Sequence, residues 1–222
     1  MTDLPQTPRL TPTRYRELAS HDREKFQQTL ASHVVAHVGF VRDGEPIVLP
    51  TGYGFDDDYL YIHGSTGSTF YRDMGDGRPL CISITSLDGF VYARSTYDSA
   101  VQYRSIVIFG VAEQLEGDDK VHAFDIMTEH LMPGRVAEVR PSTPKELAAT
   151  MALRVSLAEA SLKILDGGVE EMSDDGEDHS VWAGTLPLRL VAGNPETAPL
   201  TPPDTLLPES VRLQQLRFAN GK

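Results

Sequence analysis

The stretch that decides the fold is HVVAHVGFVRDGEPIVLPTGYGFDDDYLYIH, residues 33–63. It holds three runs that alternate or are rich in β-branched residues: 33–41, 47–55 and 59–63. The runs are separated by Asp43–Gly44 and by Asp56–Asp58, which are residues typical of tight turns. Strands joined by such short turns are antiparallel neighbours, so this stretch predicts a three-stranded meander.

Residues on the C-terminal side continue the same pattern. PLCISITSL and FVYARST flank Asp88–Gly89 and predict a second hairpin, and YRSIVIFGVAEQLE predicts a long strand. Further strands are predicted over 151–165 and 181–191. Capping residues and apolar spacing predict helices over 23–32, 118–131 and 143–150, with another starting near Ser68. The predicted fold is mainly β (α+β), an antiparallel split β-barrel of about six to eight strands with three or four peripheral helices.

The order of elements predicts three segments. These are a flexible N-terminal arm (1–20), one domain (21–193) and a Pro-rich, irregular C-terminal tail (194–222). The acidic run EEMSDDGED, residues 170–178, predicts a solvated loop.

Composition excludes several classes of protein. The formal net charge is −12, which argues against a nucleic-acid surface because phosphate neutralisation needs a basic face. No run approaches the roughly 18 apolar residues of a membrane span. Cys81 is the single cysteine, so no internal disulfide can form, and a reducing cytoplasmic location is expected.

Familiar catalytic motifs are missing from the sequence. There is no P-loop, no GxGxxG, no GxSxG and no HExxH. His33 and His37 lie four residues apart on a predicted strand, without a matching cysteine or carboxylate. We therefore predict no metal site.

The junction LYIHGSTGSTFYRDMGDG, residues 60–77, has the composition of an anion cradle. A strand ends in His63, and small hydroxylated residues and glycines then lead into a helix. Hydroxyl groups together with free amides at the start of a helix suit a phosphate. An ordinary capped helix start gives the same pattern, so the junction alone does not decide between the two.

The collinear segments resemble a known family. HVGFVRDGEPIVLPTGYGF, LYIHGSTGS, CISITSLDGFVYARS, YRSIVIFGVAE, PGRVAEVRPSTPKELAAT and VWAGTLPL together resemble the pyridoxamine 5'-phosphate oxidase-like flavin proteins. The similarity is to their flavin-nucleotide-binding branch, near the nitroimidazole-resistance reductases, and covers about Asp22 to Leu190. It implies a split-barrel homodimer with FMN at the dimer interface.

The resemblance also implies a set of cofactor-binding residues. It puts the backbone of Leu49, Pro50, Thr51 and Gly52 beside the isoalloxazine ring, and Trp182 at its flank. It puts His63, Ser65 and Ser68 near the ribityl phosphate, and Arg104 and Ser105 on a neighbouring strand. The predicted site also includes Thr69, which stands where the family has a cation, and Arg72, one helical turn further on.

Two positions depart from the family pattern. The family usually has Ser-Arg or Ser-Lys where this chain has Ser68–Thr69, and the true oxidases have lysine in place of Gly52. A phosphate dianion without a nearby cation loses its charge-assisted hydrogen bonds. Arg72 and Arg104 are the two candidates that could supply the missing charge.

Three functions follow from the resemblance. The first is an FMN-dependent oxidoreductase that reduces a small acceptor such as a nitroaromatic, a quinone or oxygen. The second is a non-catalytic flavin carrier or a haem binder that uses a histidine such as His63. The third is a dimer that has lost its cofactor and binds other molecules. No residue favours a deazaflavin, and the basic residues that hold substrate phosphate in true pyridoxamine phosphate oxidases are not recognisable near the C-terminus.

Overall fold

The computed structural model describes residues 4, 7–10, 16–170 and 179–219. Among them are five α-helices: α1 Arg23–Ala31, α2 Thr69–Gly75, α3 Gly117–Leu131, α4 Pro144–Ala149 and α5 Glu209–Ala219. The same residues form nine strands: β1 Ala19–Ser20, β2 Val35–Arg42, β3 Glu45–Phe55, β4 Tyr59–Ser65, β5 Pro79–Tyr92, β6 Ala100–Leu115, β7 Thr150–Ser156, β8 Ala160–Leu165 and β9 Gly184–Pro187. Their registered pairings are antiparallel, which confirms the predicted mainly β class.

The chain divides into two compact units, and β5 and β6 contribute residues to both. The first unit comprises Met1–His33, Ser83–Val107 and Ala160–Arg189. The second comprises Val34–Ile82, Ile108–Glu159 and Leu190–Lys222. In the first unit β1 pairs with β8 and β5 pairs with β9, while in the second the neighbours run β6–β7–β4–β3–β2.

Turns and caps that depend on local chemistry occur where the sequence predicts them. Asp43 and Gly44 form the β2–β3 turn with positive φ of 52° and 84°, as a tight hairpin requires. The Asp22 carboxylate caps α1. Thr143 and Glu146 form a reciprocal capping box at the start of α4, where Pro144 is the first helical residue.

The predicted turn at Asp88–Gly89 is wrong, because β5 continues through these two residues to Tyr92. Both residues serve the first unit in other ways. The Asp88 carboxylate receives two hydrogen bonds from Arg104. A Cβ on Gly89 would lie 2.9 Å from the carbonyl oxygen of Leu186, so glycine permits the close approach of β9.

Three other boundaries differ from the prediction. The single strand predicted over 151–165 is two strands, interrupted by a 3₁₀ turn at Leu157–Glu159. The last strand covers only Gly184–Pro187. The tail predicted to be irregular ends in the helix α5, which is bound by hydrogen bonds to the end of α3, about 80 residues earlier in the chain.

The predicted division into arm, domain and tail stays a prediction. Leu4 and Leu10, the described apolar residues nearest the N-terminus, are buried. The acidic loop predicted over 170–178 lies outside the described residues from 171 onward. No helix within the described ranges has the length and apolar character that crossing a membrane requires.

Helix α3 covers one face of the second unit and fixes the position of β3 and β4. Tyr61, Ala123 and Met127 are buried together in this contact. A Cβ on Gly54 would lie 2.6 Å from the Cα of Met127, so only glycine lets α3 lie directly on β3. Leu60 and Ile62 are buried on one face of β4, and Tyr61 lies on the opposite face. The packing of α3 explains why Tyr61 is buried as well.

Candidate functional site

The loop between β4 and α2 contains the predicted hydroxyl-lined junction. The Ser68 amide donates to the carbonyl oxygen of Ser65 at 2.9 Å, and the Gly67 amide donates to Ser65 Oγ at 3.1 Å. Ser68 is the N-cap of α2, but its side chain makes no capping hydrogen bond. The Ser68 hydroxyl and the first amides of α2 are therefore available to a ligand.

A second contact holds this loop in place. Both the amide and the hydroxyl of Thr66 donate to the carbonyl oxygen of Ala149, at 3.0 and 3.2 Å. Ala149 ends α4, which the capping box at Thr143 starts. The loop conformation is thus supported by a helix that is distant in sequence.

Arg72 supplies a cation at this loop. Its Nη1 donates to the carbonyl oxygen of Thr66 at 3.3 Å, and its Nη2 donates to Thr69 Oγ1 at 3.4 Å. Both bonds are long and exposed to solvent, so the guanidinium can turn towards an anion at small cost. Of the two arginines considered for the missing charge, Arg72 is the one for which the structure gives a hydrogen bond to the loop.

Arg104 is engaged elsewhere, in the first unit. Its Nε and Nη2 donate to both carboxylate oxygens of Asp88, at 2.8 and 2.9 Å. Burial acts to raise the pKa of Asp88, but hydrogen bonds from Arg104 and Ser86 outweigh it, so the pKa lies below its ordinary value. Ser105 follows Arg104 on β6 and is half-buried. A phosphate would have to compete with this bidentate pair for Arg104.

The predicted ring-contact segment lies on β3. Leu49 and Pro50 are exposed, and Thr51 and Gly52 are half-buried. This part of β3 pairs with β2, while β4 pairs only with Tyr53–Phe55, so Pro50 lies on an edge as its lack of an N–H suggests.

Tyr71 connects this segment to the loop, and the sequence analysis missed it. Its hydroxyl lies 2.9 Å from Thr51 Oγ1. Its ring covers Gly64, where a Cβ would fall 2.0 Å from a ring carbon. A glycine near the end of the strand, with an aromatic residue in the first turn of the next helix, was the available signal.

His63 lies beside the loop at the end of β4. It is exposed, and its ring meets Phe124 of α3 edge-to-face with centroids 5.7 Å apart. Although the residue as a whole is exposed, its ring is partly desolvated where it meets Phe124, and this lowers the pKa of His63 below its ordinary value. The neutral imidazole, which this shift favours, is the form that binds a metal.

Trp182 lies in the first unit, just before β9. It is 66% exposed, and its ring centroid lies 5.7 Å from that of Tyr92. A Cβ on Gly184 would lie 2.7 Å from the indole, so glycine permits the close approach of the ring to the backbone. An exposed tryptophan held in this way is a surface on which a planar group can stack.

The structure thus brings together part of the predicted set. Within the second unit, β3, β4, α2 and the N-cap of α2 carry Leu49–Gly52, His63, Ser65, Ser68, Thr69 and Arg72. Arg104, Ser105 and Trp182 belong to the first unit. In the part of the chain that the structure describes, no group of three or more His, Cys, Asp or Glu side chains could hold a metal ion.

Comparison with known proteins identifies the family. Residues 22–164 match the pyridoxamine 5'-phosphate oxidase family. This match covers more than half of the chain, and the chain belongs to that family. The resemblance predicted from the sequence is confirmed. No curated protein matches this chain.

Two solved structures are similar over nearly their whole length. The FAD and haem binding protein from Mycobacterium smegmatis is 42% identical with a TM-score of 0.85, and the alignment covers 88% of this chain and 96% of that one. The flavocytochrome Anf3 from Azotobacter vinelandii is 32% identical with a TM-score of 0.86, covering 96% and 97%. The similarity confirms the predicted fold.

A third solved structure shows the fold alone. It is a Bacteroides thetaiotaomicron protein assigned to 5-nitroimidazole antibiotic resistance, 18% identical with a TM-score of 0.57. The alignment covers 66% of this chain and 86% of that one.

Proposed function

We propose that this chain is a flavin-dependent oxidoreductase that binds its cofactor phosphate at the β4–α2 loop. The observation that carries the proposal is the 42% identity, over 88% of this chain, to a protein that binds FAD and haem. The open Ser68 hydroxyl and the adjacent Arg72 guanidinium support it, because both are donors that a phosphate needs.

We favour FAD over the FMN predicted from the sequence. The terminal phosphate of FMN carries a charge of about −1.5 to −2 at pH 7. FAD instead has a pyrophosphate, whose two negative charges are spread over two phosphate groups with one charge each. A loop with Thr69 in place of the family cation compensates a single charge better than a dianion. One of the two relatives supports this choice because it is described as binding FAD.

The flavin would supply the electron transfer, and this chain would hold and orient it. The exposed backbone of Leu49–Gly52 would lie beside the ring, as the family resemblance implies. The bond between Thr51 and Tyr71 would keep that segment in register with the phosphate loop. The acceptor would be a small molecule such as a quinone, a nitroaromatic or oxygen, and the single cysteine suits a cytoplasmic location.

A homodimer is part of this proposal. Directly paired residues of β2 and β3 share one face of the sheet, and this face carries exposed apolar side chains: Val35, Val41 and Val48. Adjacent to them are His37 and Pro50, also exposed. A second copy would remove this apolar surface from water. Light scattering coupled to gel filtration should give twice the mass of 24.4 kDa, and a flavin-loaded monomer would contradict an interface site.

A second candidate function is a flavin–haem protein in which haem passes electrons to or from the flavin. The two relatives described as binding haem or as a flavocytochrome favour it. The exposed imidazole of His63, whose lowered pKa favours the neutral form, could supply an axial nitrogen. His63→Ala should then abolish the Soret band, whereas His122→Ala, which removes an exposed histidine on α3 outside the proposed interface, should keep it.

The first test is the absorption spectrum of the purified chain, followed by titration with FAD, FMN and haem. Flavin bands or saturable FAD binding are expected, with FAD bound more tightly than FMN. Tighter binding of FMN would contradict the argument from charge. A colourless chain that binds none of the three would leave a dimer that has lost its cofactor.

A further inference from the structure

The last two residues of α3 lie against β3, the strand that carries the proposed ring-contact segment. A Cβ on Gly52, the last residue of that segment, would lie 3.7 Å from Cδ1 of Leu131, which is a normal van der Waals contact. The ring centroid of His130 lies 4.9 Å from that of Tyr53 and 5.1 Å from that of Phe55. The end of α3 therefore covers β3 from the last residue of the segment onward.

Helix α5 binds the same two residues of α3 through their carbonyl groups. Gln214 Nε2 donates to the carbonyl oxygen of Leu131 at 3.1 Å, and Arg217 Nη1 donates to that of His130 at 2.8 Å. Carbonyls in the last turn of a helix lack partners within their own helix, so α5 supplies the donors that this end of α3 needs. The backbone of these two residues is thus held by α5, while their side chains contact β3.

Further hydrogen bonds fix both α5 and the turn that follows α3. The amide and hydroxyl of Ser210, in the first turn of α5, donate to the carboxylate of Glu138 at 2.9 and 2.5 Å. The Glu129 carboxylate accepts from the amides of Gly134 and Val136, at 2.6 and 2.9 Å. The end of α3 is therefore held from two sides, and all of these residues belong to the second unit.

Arg217 also acts on β3 through its charge. Tyr53 is fully buried, and burial raises the pKa of its hydroxyl while the charge of Arg217 acts to lower it. Burial lowers the pKa of Arg217, so this guanidinium is partly removed from water. A cation within electrostatic range of Tyr53, the residue after Gly52, links α5 to the same part of β3 that Leu131 contacts.

We propose that Gln214 and Arg217 are positioning residues for the flavin ring. By holding the last turn of α3, they keep Leu131 against Gly52 and so set the position of the ring-contact segment. This role rests on the proposed function, because it requires the flavin ring to lie beside that segment. A helix cap that serves stability alone is the other explanation of the same contacts, and the two differ in their effect on a bound flavin.

Two probes separate the ring from the phosphate. Riboflavin has the flavin ring but no phosphate, so its affinity for the purified full chain reports on the ring-contact segment and not on the β4–α2 loop. Arg217→Met and Gln214→Met each remove one hydrogen bond, and we expect each to weaken riboflavin and FAD by the same factor, about 2- to 10-fold. Arg72→Gln should weaken FAD and leave riboflavin unchanged, because Arg72 serves the phosphate.

Matched variants separate positioning from general stability. Arg212→Met makes the same substitution at an exposed residue of α5 whose ion pair is with Glu209, so neither affinity should change. Arg217→Lys keeps a charged donor and should restore most of the lost affinity. The visible circular dichroism of the flavin, recorded at saturation in folded chains, should change in Arg217→Met and stay as in the wild type in Arg212→Met. A residue that only stabilised the fold would leave this spectrum unchanged.

A double-mutant cycle tests whether Leu131 carries the effect. Leu131→Ala removes the side chain that contacts Gly52 and keeps the carbonyl that Gln214 binds. Arg217→Met should therefore have little further effect on riboflavin affinity in the Leu131→Ala background, because the link is already broken. Fully additive losses would show that α5 does not act through Leu131.

The positioning role and the proposed function fail in different ways. A wild-type chain that binds neither riboflavin nor FAD would overturn the proposed function and this role with it. Flavin binding whose affinity and visible spectrum are the same in the wild type, Arg217→Met and Gln214→Met would overturn the positioning role alone. Amide exchange at Thr51 and Gly52, measured without flavin, should be faster in both variants, and unchanged exchange would also contradict the role. If Arg217→Met does not fold, Gln214→Met carries the same comparison.

Discussion

The most informative perturbation at the cofactor loop is Thr69→Arg. Thr69 is the first residue of α2 and is exposed. Its hydroxyl accepts a long bond of 3.4 Å from Arg72. The substitution would therefore add the cation that the family usually carries here, at small cost to the fold.

The expected gain depends on the charge of the phosphate. A hydrogen bond to a charged group contributes about 1.5–3 kcal/mol, and the lower end applies at an exposed loop. About 1.5 kcal/mol corresponds to roughly tenfold tighter binding of FMN. A singly charged FAD phosphate should gain about half of that free energy, or roughly threefold. The preference for FAD should therefore shrink by about threefold.

Quenching of flavin fluorescence, titrated at low and high salt, measures both affinities. Thr69→Gln is the matched control, because glutamine is long and polar but uncharged. The gain for FMN should appear only in the arginine variant and should decline as salt screens the charge. Equal gains for both flavins, or a gain in the glutamine control, would refute the argument that a missing charge sets the preference.

Three further predictions follow from the contacts described. Gly64→Ala should lower the free energy of unfolding by about 1–3 kcal/mol, because a tyrosine ring occupies the space of the new methyl, whereas Gly67→Ala should not, as thermal melts can check. Arg72→Gln should weaken FAD binding by about 1.5–3 kcal/mol. Arg104→Gln should weaken it less, because the Arg104 guanidinium is already paired with Asp88. Equal losses of affinity in the two variants would show that Arg104 also binds the phosphate. The Glu138 carboxylate helps to hold α5, and its pKa in the folded state lies below the ordinary value of 4.5. Docking of α5 should therefore be fully present above pH 4.5 and should weaken as the pH falls through the folded-state pKa of Glu138, which faster amide exchange in α5 would reveal. Amide exchange whose opening equilibrium does not change with pH in that range would contradict this prediction.

The sequence predicted elements whose signals are local. Asp43–Gly44 and Asp22 act through their own side chains or backbone angles, so each could be identified without knowing its neighbours. Asp88–Gly89 has the same turn composition but lies inside β5. There the decisive partners are Arg104 and the carbonyl of Leu186, which are distant in sequence. Local turn chemistry could not anticipate them.

Helix α5 was missed for a similar reason. Its sequence has moderate apolar spacing after a Pro-rich segment, so propensity alone did not predict a helix. Its stability comes instead from Gln214 and Arg217 at the end of α3 and from Ser210 at Glu138. Tyr71 at the candidate site follows the same rule, since its contacts with Gly64 and Thr51 exist only once β3, β4 and α2 have assembled.

The net charge of −12 bears on what the proposed flavin site can reduce. A strongly negative protein repels anions before they reach its surface and attracts cations, so encounter rates depend on the charge of the acceptor. Quinones, nitroaromatics and oxygen are uncharged and escape this penalty. An anionic cofactor does not escape it, and the cations of the loop must offset the repulsion locally. Arg72 is the cation that the structure provides there. FMN and FAD each carry about two negative charges at pH 7, so the net charge opposes the approach of both and favours neutral acceptors at the same site.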